Sequence, residues 1–440
     1  HRKPARSSLP TIRKCEFASF TRHSTSIWPD NFSWRRNVMK HGDARALLTR
    51  DWAIQMDSDA VACPFHAGAK LHQGPDVFFK AGESHVRSSG LGGNWVVTRY
   101  AQQQEVLLDP GRFSSHLAIG FSRLIGDDWP LVPLELDPPE HALYRKLIAP
   151  WLSPSRARTL QEEIRVLAID LIANLKEADG CDFMDCFGRP YPVTVFMRMM
   201  DLPMDEMPTF LAWADALLRG ETVSDKSKAA QAIKDYLLKL IAARRANPGE
   251  DMVSYFIASR VGEAEIPPDR MLGLCFMLFI GGLDTVASSL GFIFRELARR
   301  PELQAQLRAD AGMVSAATDE FMRAFGVVTT FRYATEDMDF HGAPIRKGEL
   351  IELPLGLSSR DERMHDAPHD IDFRRNGKRT LAFSTGPHTC SGMHLARTEI
   401  RIALEEWMKR MPVLRLAPNT AIKLETESVW ALENLPLVWT

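Results

Sequence analysis

The chain has 440 residues, 45% of them hydrophobic and 25% charged, with 54 Lys plus Arg against 56 Asp plus Glu for a formal net charge of −2. Such a composition belongs to a globular chain able to bury a large core, and it excludes collagen, a coiled-coil rod and a disordered chain. The near-neutral balance offers no electrostatic basis for nucleic-acid binding, and six Cys without a CxxC pair are too few for a disulfide scaffold or a structural zinc site.

Residues 1–50 hold eleven Lys or Arg, three acidic residues and many Ser and Thr. They show neither helical nor strand period, so 1–55 reads as a basic leader outside the fold. From 56 to 440 no repeat or Gly/Ser linker divides the chain, and a single domain is expected. Strands are predicted at 94–99 and within 338–355, the latter turning at His341-Gly342 and Lys347-Gly348. Apolar residues spaced three and four apart predict helices at 137–149, 156–176, 229–245, 269–299, 301–310, 315–325 and 392–411. The class is mainly α with a small β-sheet. The longest apolar run, 271–280, ends in Gly281, Gly282 and Asp284, short of the roughly 18 to 20 residues of a membrane span. No membrane anchor is therefore expected.

Four segments carry chemistry. In Asp137-Pro138-Pro139-Glu140-His141-Ala142-Leu143-Tyr144-Arg145, Asp137 is expected to cap a helix, with Pro in its first turn and Glu140 completing a capping box. His141 and Arg145, four apart, then share a face. In Ile280-Gly281-Gly282-Leu283-Asp284-Thr285 an acid and an alcohol interrupt an apolar helix, and a buried carboxylate is costly without a partner or a task. Two glycines weaken that helix by about 1 kcal/mol each, and the Thr285 hydroxyl can bond the Gly281 carbonyl, opening the helical ladder. Glu320 and Arg323, three apart, can pair on one helix face.

The fourth segment runs Phe383-Ser384-Thr385-Gly386-Pro387-His388-Thr389-Cys390-Ser391-Gly392-Met393-His394-Leu395-Ala396-Arg397. Here a lone Cys lies between a Gly/Pro-punctuated loop and a helix start. Free backbone N–H groups and the helix dipole there favour a thiolate, lowering the thiol pKa and preparing it to bind a metal. Gly386 and Gly392 allow the backbone to pass close to a flat ligand, and Phe383 can pack beside the sulfur. Gly90-Leu91-Gly92-Gly93 lacks the full GxGxxG pattern and no phosphate loop is visible, so electrons must come from a separate protein.

Phe-x-x-Gly-x-His-x-Cys-x-Gly followed by Leu-Ala-Arg resembles the haem-thiolate loop of the cytochrome P450 family. The resemblance runs from Gly92 to Trp439, roughly four-fifths of the chain. It includes Gly92-Gly93-Asn94-Trp95, the Gly-Gly-Leu-Asp-Thr segment, Asp339-Phe340-His341-Gly342 and Leu435-Pro436-Leu437-Val438-Trp439, and it is closest to the soluble bacterial branch that includes camphor hydroxylase. It implies the P450 fold, with haem b between the oxygen-binding helix and the Cys-loop helix. Cys390 would be the axial iron ligand, with Phe383 and Gly392 against the haem. Thr285 would steady the bound oxygen while Asp284 relays protons to it. Glu320 and Arg323 would brace the core, and His141, Arg145, Arg332 and His388 would hold the two propionates. Ser391 replaces a usually apolar residue, and its hydroxyl can donate to the sulfur and raise the reduction potential.

The activity so implied is a cytoplasmic monooxygenase that inserts one atom of dioxygen into an unactivated C–H bond. Its electrons would pass from NAD(P)H through a flavin reductase and a 2Fe-2S ferredoxin, the latter docking beneath Cys390 on basic residues such as Arg145 and Lys146. Residues 116–136 would roof the substrate pocket. Its walls would be Phe121, Trp129, Met277, Ile280, Gly281, Val328 and Val429, an apolar set suited to a small terpenoid or norisoprenoid. Trp129 stands where the camphor enzyme holds its ketone with Tyr, and the indole N–H can donate in its place. Thr330 stands where that relative has an Asp near a propionate. Two alternatives share Cys390: a haem-thiolate isomerase or peroxygenase, and a haem-dependent binding protein without turnover. Asp284 and Thr285, which only dioxygen activation needs, favour the monooxygenase.

Overall fold

The computed structural model describes residues 85–87 and 94–439, apart from 176, 177, 221, 378 and 427. The basic stretch 1–55, the expected domain start at 56 and the Gly90–Gly93 segment lie outside the described residues. In chain order the longer helices are Tyr100–Leu108 (α1), Glu140–Leu152 (α2), Pro154–Ala173 (α3), Pro190–Met199 (α4), Met207–Arg219 (α5), Val223–Ala246 (α6), Met252–Ala258 (α7), Pro268–Leu283 (α8), Thr285–Arg299 (α9), Pro301–Ala309 (α10), Val314–Ala324 (α11) and Met393–Arg410 (α12).

Every helix expected from periodicity is present. The segment 269–299 is not one helix, however, because it breaks at Asp284 between α8 and α9. The Thr285 hydroxyl donates to the Gly281 carbonyl at 3.2 Å, a side-chain bond that competes with the backbone ladder where two glycines already weaken it. Among the helices that periodicity misses, α4 is buried from Pro190 through Met197 and so has no polar face to give a period. Helix α1 buries Gln103, whose amide donates to the carbonyls of Val97 and Pro354 and ties the helix to the sheet.

The main sheet joins His85–Arg87 (β1), Trp95–Val97 (β2), Phe113–Ser114 (β3), Thr329–Ala334 (β4) and Leu350–Pro354 (β5), in the order β1-β2-β5-β4-β3. Strand β5 runs parallel to β2 and antiparallel to β4, where Ile351 faces Arg332. One apolar cluster lies around this sheet, with Val97, Phe113, Ile351 and Leu353. The larger one fills the helical body around Phe183, Phe187, Phe294 and Trp407. There α8 and α9 run through the core.

By length and composition the joined segment 268–299 would cross a membrane, with a mean hydropathy of 1.7 over its most apolar window. This corrects the expectation that no segment reaches that length. Its apolar side chains, among them Phe276, Phe279, Leu290 and Ile293, are buried inside the protein, which is why a core helix passes the same test.

Candidate active site

The Cys390 loop is shaped by its own backbone. The Cys390 N–H donates to the Phe383 carbonyl at 2.8 Å, and the N–H and hydroxyl of Thr389 both reach the Gly386 carbonyl. Gly386 adopts φ +71°, and a Cβ there would sit 2.8 Å from the Leu107 carbonyl oxygen. The turn and the approach of α1 therefore demand this glycine. Phe383 packs against the helical core, with the Arg397 guanidinium 4.7 Å from its ring centroid.

Helix α12 begins at Met393, with Gly392 at its cap beside the sulfur. Solvent reaches Cys390, although protein atoms crowd it closely. That crowding pushes the thiol up, and the N–H groups of Gly392 and Met393, with Arg145 and Arg397, only partly oppose it. The helix-end N–H groups and the two guanidinium groups favour the thiolate, as the spacing predicts, against the crowding that favours the thiol.

Beside the loop, three buried polar atoms on different elements have no partner among the described residues: His141 Nε2 on α2, Arg332 Nη2 on β4 and His388 Nδ1. The two imidazoles lie 4.3 Å apart. His388 Nε2 is 3.1 Å from the Ser115 hydroxyl. With Nε2 accepting that proton, Nδ1 carries a hydrogen free to donate. Burial, then Arg332, lowers His388 to about 2; burial, then Arg145, lowers His141 to about 4. Arg332 is itself lowered by burial to about 10, and its guanidinium donates to Thr330 Oγ1 and the Phe331 carbonyl. A buried guanidinium without a carboxylate contact among the described residues, flanked by two imidazoles that each leave one ring nitrogen unpartnered there, is a donor set for anionic oxygens. The residues fit the haem that the sequence resemblance implies.

Two local expectations around this cluster change. Asp137 does not cap α2. Its carboxylate accepts from the Ser114 hydroxyl at 2.5 Å and the Ser115 N–H at 2.8 Å, while α2 starts at Glu140 with Pro139 before it and no side-chain cap. Nor does Glu140 close a capping box, because Arg270 of α8 takes its carboxylate at 2.8 Å. Asp137 instead orients the Ser115 that meets His388. Arg145 donates to the Ser391 hydroxyl, which places Ser391 in the same cluster.

On the opposite side, Asp284 is buried and pairs with Arg219 of α5, Oδ1 to Nη2 at 2.6 Å, while its Oδ2 has no partner. Both residues border a groove of about 770 Å³ that also holds Asp215, Asp225, Lys228 and Ser288. Glu320 and Arg323 are fully buried, and Arg323 further donates to the carbonyls of Ser359, Pro368 and Asp370. Against burial that pushes it up, Arg323, the Asp372 N–H and Arg375 hold Glu320 below the usual carboxylate range. Sequence reasoning missed Arg219, Arg375 and Ser115. Each meets its partner only through tertiary folding, and no spacing rule marks them.

Of the expected pocket residues, Met277, Ile280 and Gly281 lie together on α8, Val328 bridges Val429, and Phe121 opens a short 3-10 turn at Phe121–Ile125. Trp129 is buried against Phe276 at 4.9 Å, and its indole N–H donates to Asp127 at 2.8 Å.

The family model described as Cytochrome P450 matches residues 193–432. The probable cytochrome P450 127A1 of Sinorhizobium fredii is 35% identical over 380 residues, spanning 86% of this chain and 90% of that protein. The crystal structure of cytochrome P450 CYP101C1 is similar with a TM-score of 0.75 and 31% identity, covering 89% of this chain and 97% of that one. CYP108D1 from Novosphingobium aromaticivorans gives a TM-score of 0.76 at 25% identity, over 86% and 96% of the two chains.

Proposed function

The chain belongs to the cytochrome P450 family as a haem-thiolate monooxygenase, and from that premise we propose that it hydroxylates a small apolar terpenoid or norisoprenoid with electrons from a 2Fe-2S ferredoxin. The observation that carries the substrate class is the wall chemistry. Met277, Ile280, Gly281, Val328 and Val429 offer no side-chain hydrogen bond, and the polar handle of Trp129 is occupied by Asp127. A ligand held by such walls is recognised by shape and apolar area.

When bound, haem supplies the electron-rich iron at which dioxygen is reduced and cleaved. Cys390 would hold that group from the α12 side. His141, Arg145, Arg332 and His388 would bind its propionates, with Phe383 and Gly392 near the sulfur. Thr285, at the break between α8 and α9, presents a hydroxyl whose proton is shared with Gly281. Asp284 holds a carboxylate between that break and the charged groove, where Arg219 anchors one oxygen and leaves the other free to pass a proton. Lys146 is exposed on α2, one residue from the Arg145 that reaches Ser391, and supports docking of an acidic ferredoxin near Cys390, supplied by its flavin reductase. A cytoplasmic location accords with such partners.

The absorption spectrum of the reduced, carbon-monoxide-bound protein tests the thiolate, and ferric titration with a terpenoid panel tests the substrate. A far-red Soret band with a ligand-induced spin change is expected, followed by ferredoxin-dependent NADH consumption. Tight binding of large polar ligands in place of the terpenoids would refute the substrate class.

A further inference from the structure

The segment between Ile119 and Leu131 leads into residues that pack on α8, the helix that carries Met277 and Ile280, yet much of its backbone is not in helix or strand. Buried backbone of that kind must find acceptors for its N–H groups. One side chain supplies three of them. Glu135 is 1% exposed. Its Oε1 accepts the N–H groups of Ile119 and Gly120, both at 2.7 Å, and its Oε2 accepts the N–H of Leu131 at 2.8 Å. The two oxygens of one carboxylate thus hold the outgoing and returning limbs together. Three donors aimed at two oxygens favour the ionised form and partly oppose the burial that raises this carboxyl overall.

The closed loop is also seated on α8. The Val132 N–H donates to the Gly273 carbonyl at 3.2 Å, and a Cβ on Gly273 would stand 1.9 Å from the Pro130 carbonyl oxygen. Gly273 lies four residues before Met277, one helical turn away. Phe121 directly follows the clamped Gly120. The position of Phe121 relative to Met277 and Ile280 therefore depends on how tightly the two limbs are drawn together. At the tip, Asp127 meets Lys234 of α6 at 2.5 Å, and the Ser227 hydroxyl reaches the Leu124 carbonyl at 2.8 Å.

We propose that Glu135 is a positioning residue for substrate recognition: its carboxylate clasps both limbs of the 119–131 loop and so fixes the pocket roof in a preformed shape that selects among apolar substrates. The substrate side of this inference rests on the monooxygenase reading, whereas the clasp itself does not. A preformed roof lowers the ordering cost of binding and penalises ligands of the wrong shape.

The test compares Glu135→Gln with the unaltered holoenzyme. An amide replaces one acceptor by an NH2 that faces a backbone N–H, while size and surroundings are kept. The carbon-monoxide spectrum should be unchanged, and the best terpenoid ligand should bind about tenfold more weakly in ferric titration. The ranking across the panel should flatten. Glu135→Asp, too short to reach both limbs, should not restore it. Trypsin should cut faster after the exposed Arg123 while its other cleavages keep their rates. Unchanged affinities, ranking and Arg123 cleavage in the haem-loaded variant would overturn the proposal. Hydrogen exchange on the unaltered protein decides the matter even if the variant does not fold. The amides of Ile119, Gly120 and Leu131 should open together and slowly, and exchange at the rate of exposed loop amides would count against the clasp. A panel that produces no spin change even in the unaltered protein refutes the substrate class, while proteolysis and exchange still judge Glu135.

Discussion

Replacing Arg323 by Ala tests how far a buried ion pair supports the segment that leads into the Cys390 loop. Arg323 donates twice to Glu320, at 2.9 Å each, and to the carbonyls of Ser359, Pro368 and Asp370 at 2.7 to 3.0 Å. Both partners are fully buried. Removing one member of such a pair costs about 3–5 kcal/mol, because the other charge stays buried without its partner. Glu320 keeps Arg375 at 3.1 Å and the Asp372 N–H at 3.0 Å. The lower end, about 3 kcal/mol, is therefore expected, a change of about a hundredfold in the folding equilibrium. Equilibrium urea unfolding of Arg323→Ala, Glu320→Ala and the double variant measures it. The double variant should lose at least about 1 kcal/mol less than the sum of the singles, since the Glu320–Arg323 interaction is counted in both singles, although Arg375 also loses its carboxylate. A single-variant loss below about 1 kcal/mol, the worth of an exposed pair, would refute the reasoning. The pH dependence has a definite sign. Glu320 is held below its ordinary range, so its contribution is complete above the unfolded carboxylate pKa and disappears as pH falls through the folded value.

Three further outcomes follow from the site. Thr285→Ala should continue to consume electrons while releasing much of them as peroxide; tight coupling of electron uptake to product would remove the hydroxyl from proton delivery. Trp129→Phe should weaken ketone and hydrocarbon ligands alike, because the indole N–H serves Asp127; a selective loss of ketones in ferric titration would return Trp129 to substrate binding. His141 falls from 6.5 to about 4 on folding, so the unfolded chain binds its proton first and apoprotein stability declines as pH drops between those values. Urea unfolding of His141→Asn should show a shallower decline over that window, and an unchanged slope would contradict the burial of this imidazole.

Much of the candidate site was legible because its chemistry is local. Cys390 between a Gly/Pro loop and a helix start, the Gly281–Thr285 pair and the Glu320–Arg323 pair all lie within a few residues of their partners. Helical geometry turns those short spacings into contacts, and the 3.2 Å bond from Thr285 to Gly281 is the outcome. Periodicity likewise marked the amphipathic helices α3, α6, α11 and α12, whose polar faces meet solvent. It missed α4, which has no such face.

Local rules failed where a distant partner outbid a nearby one. Asp137 had a free helix end within reach but is taken by Ser114 and Ser115, and Glu140 is taken by Arg270. Sequence alone marked Cys390 as the candidate ligand, a core helix weakened by two glycines, and His141, Arg145, Arg332 and His388 as candidate donors. Tertiary structure decided that Arg219 holds Asp284, that Arg375 joins Glu320, and that Glu135 closes the 119–131 loop. Side-chain hydrogen bonds are short-ranged and are set by packing, so residues far apart in the chain become partners only after the core has brought them within about 3 Å.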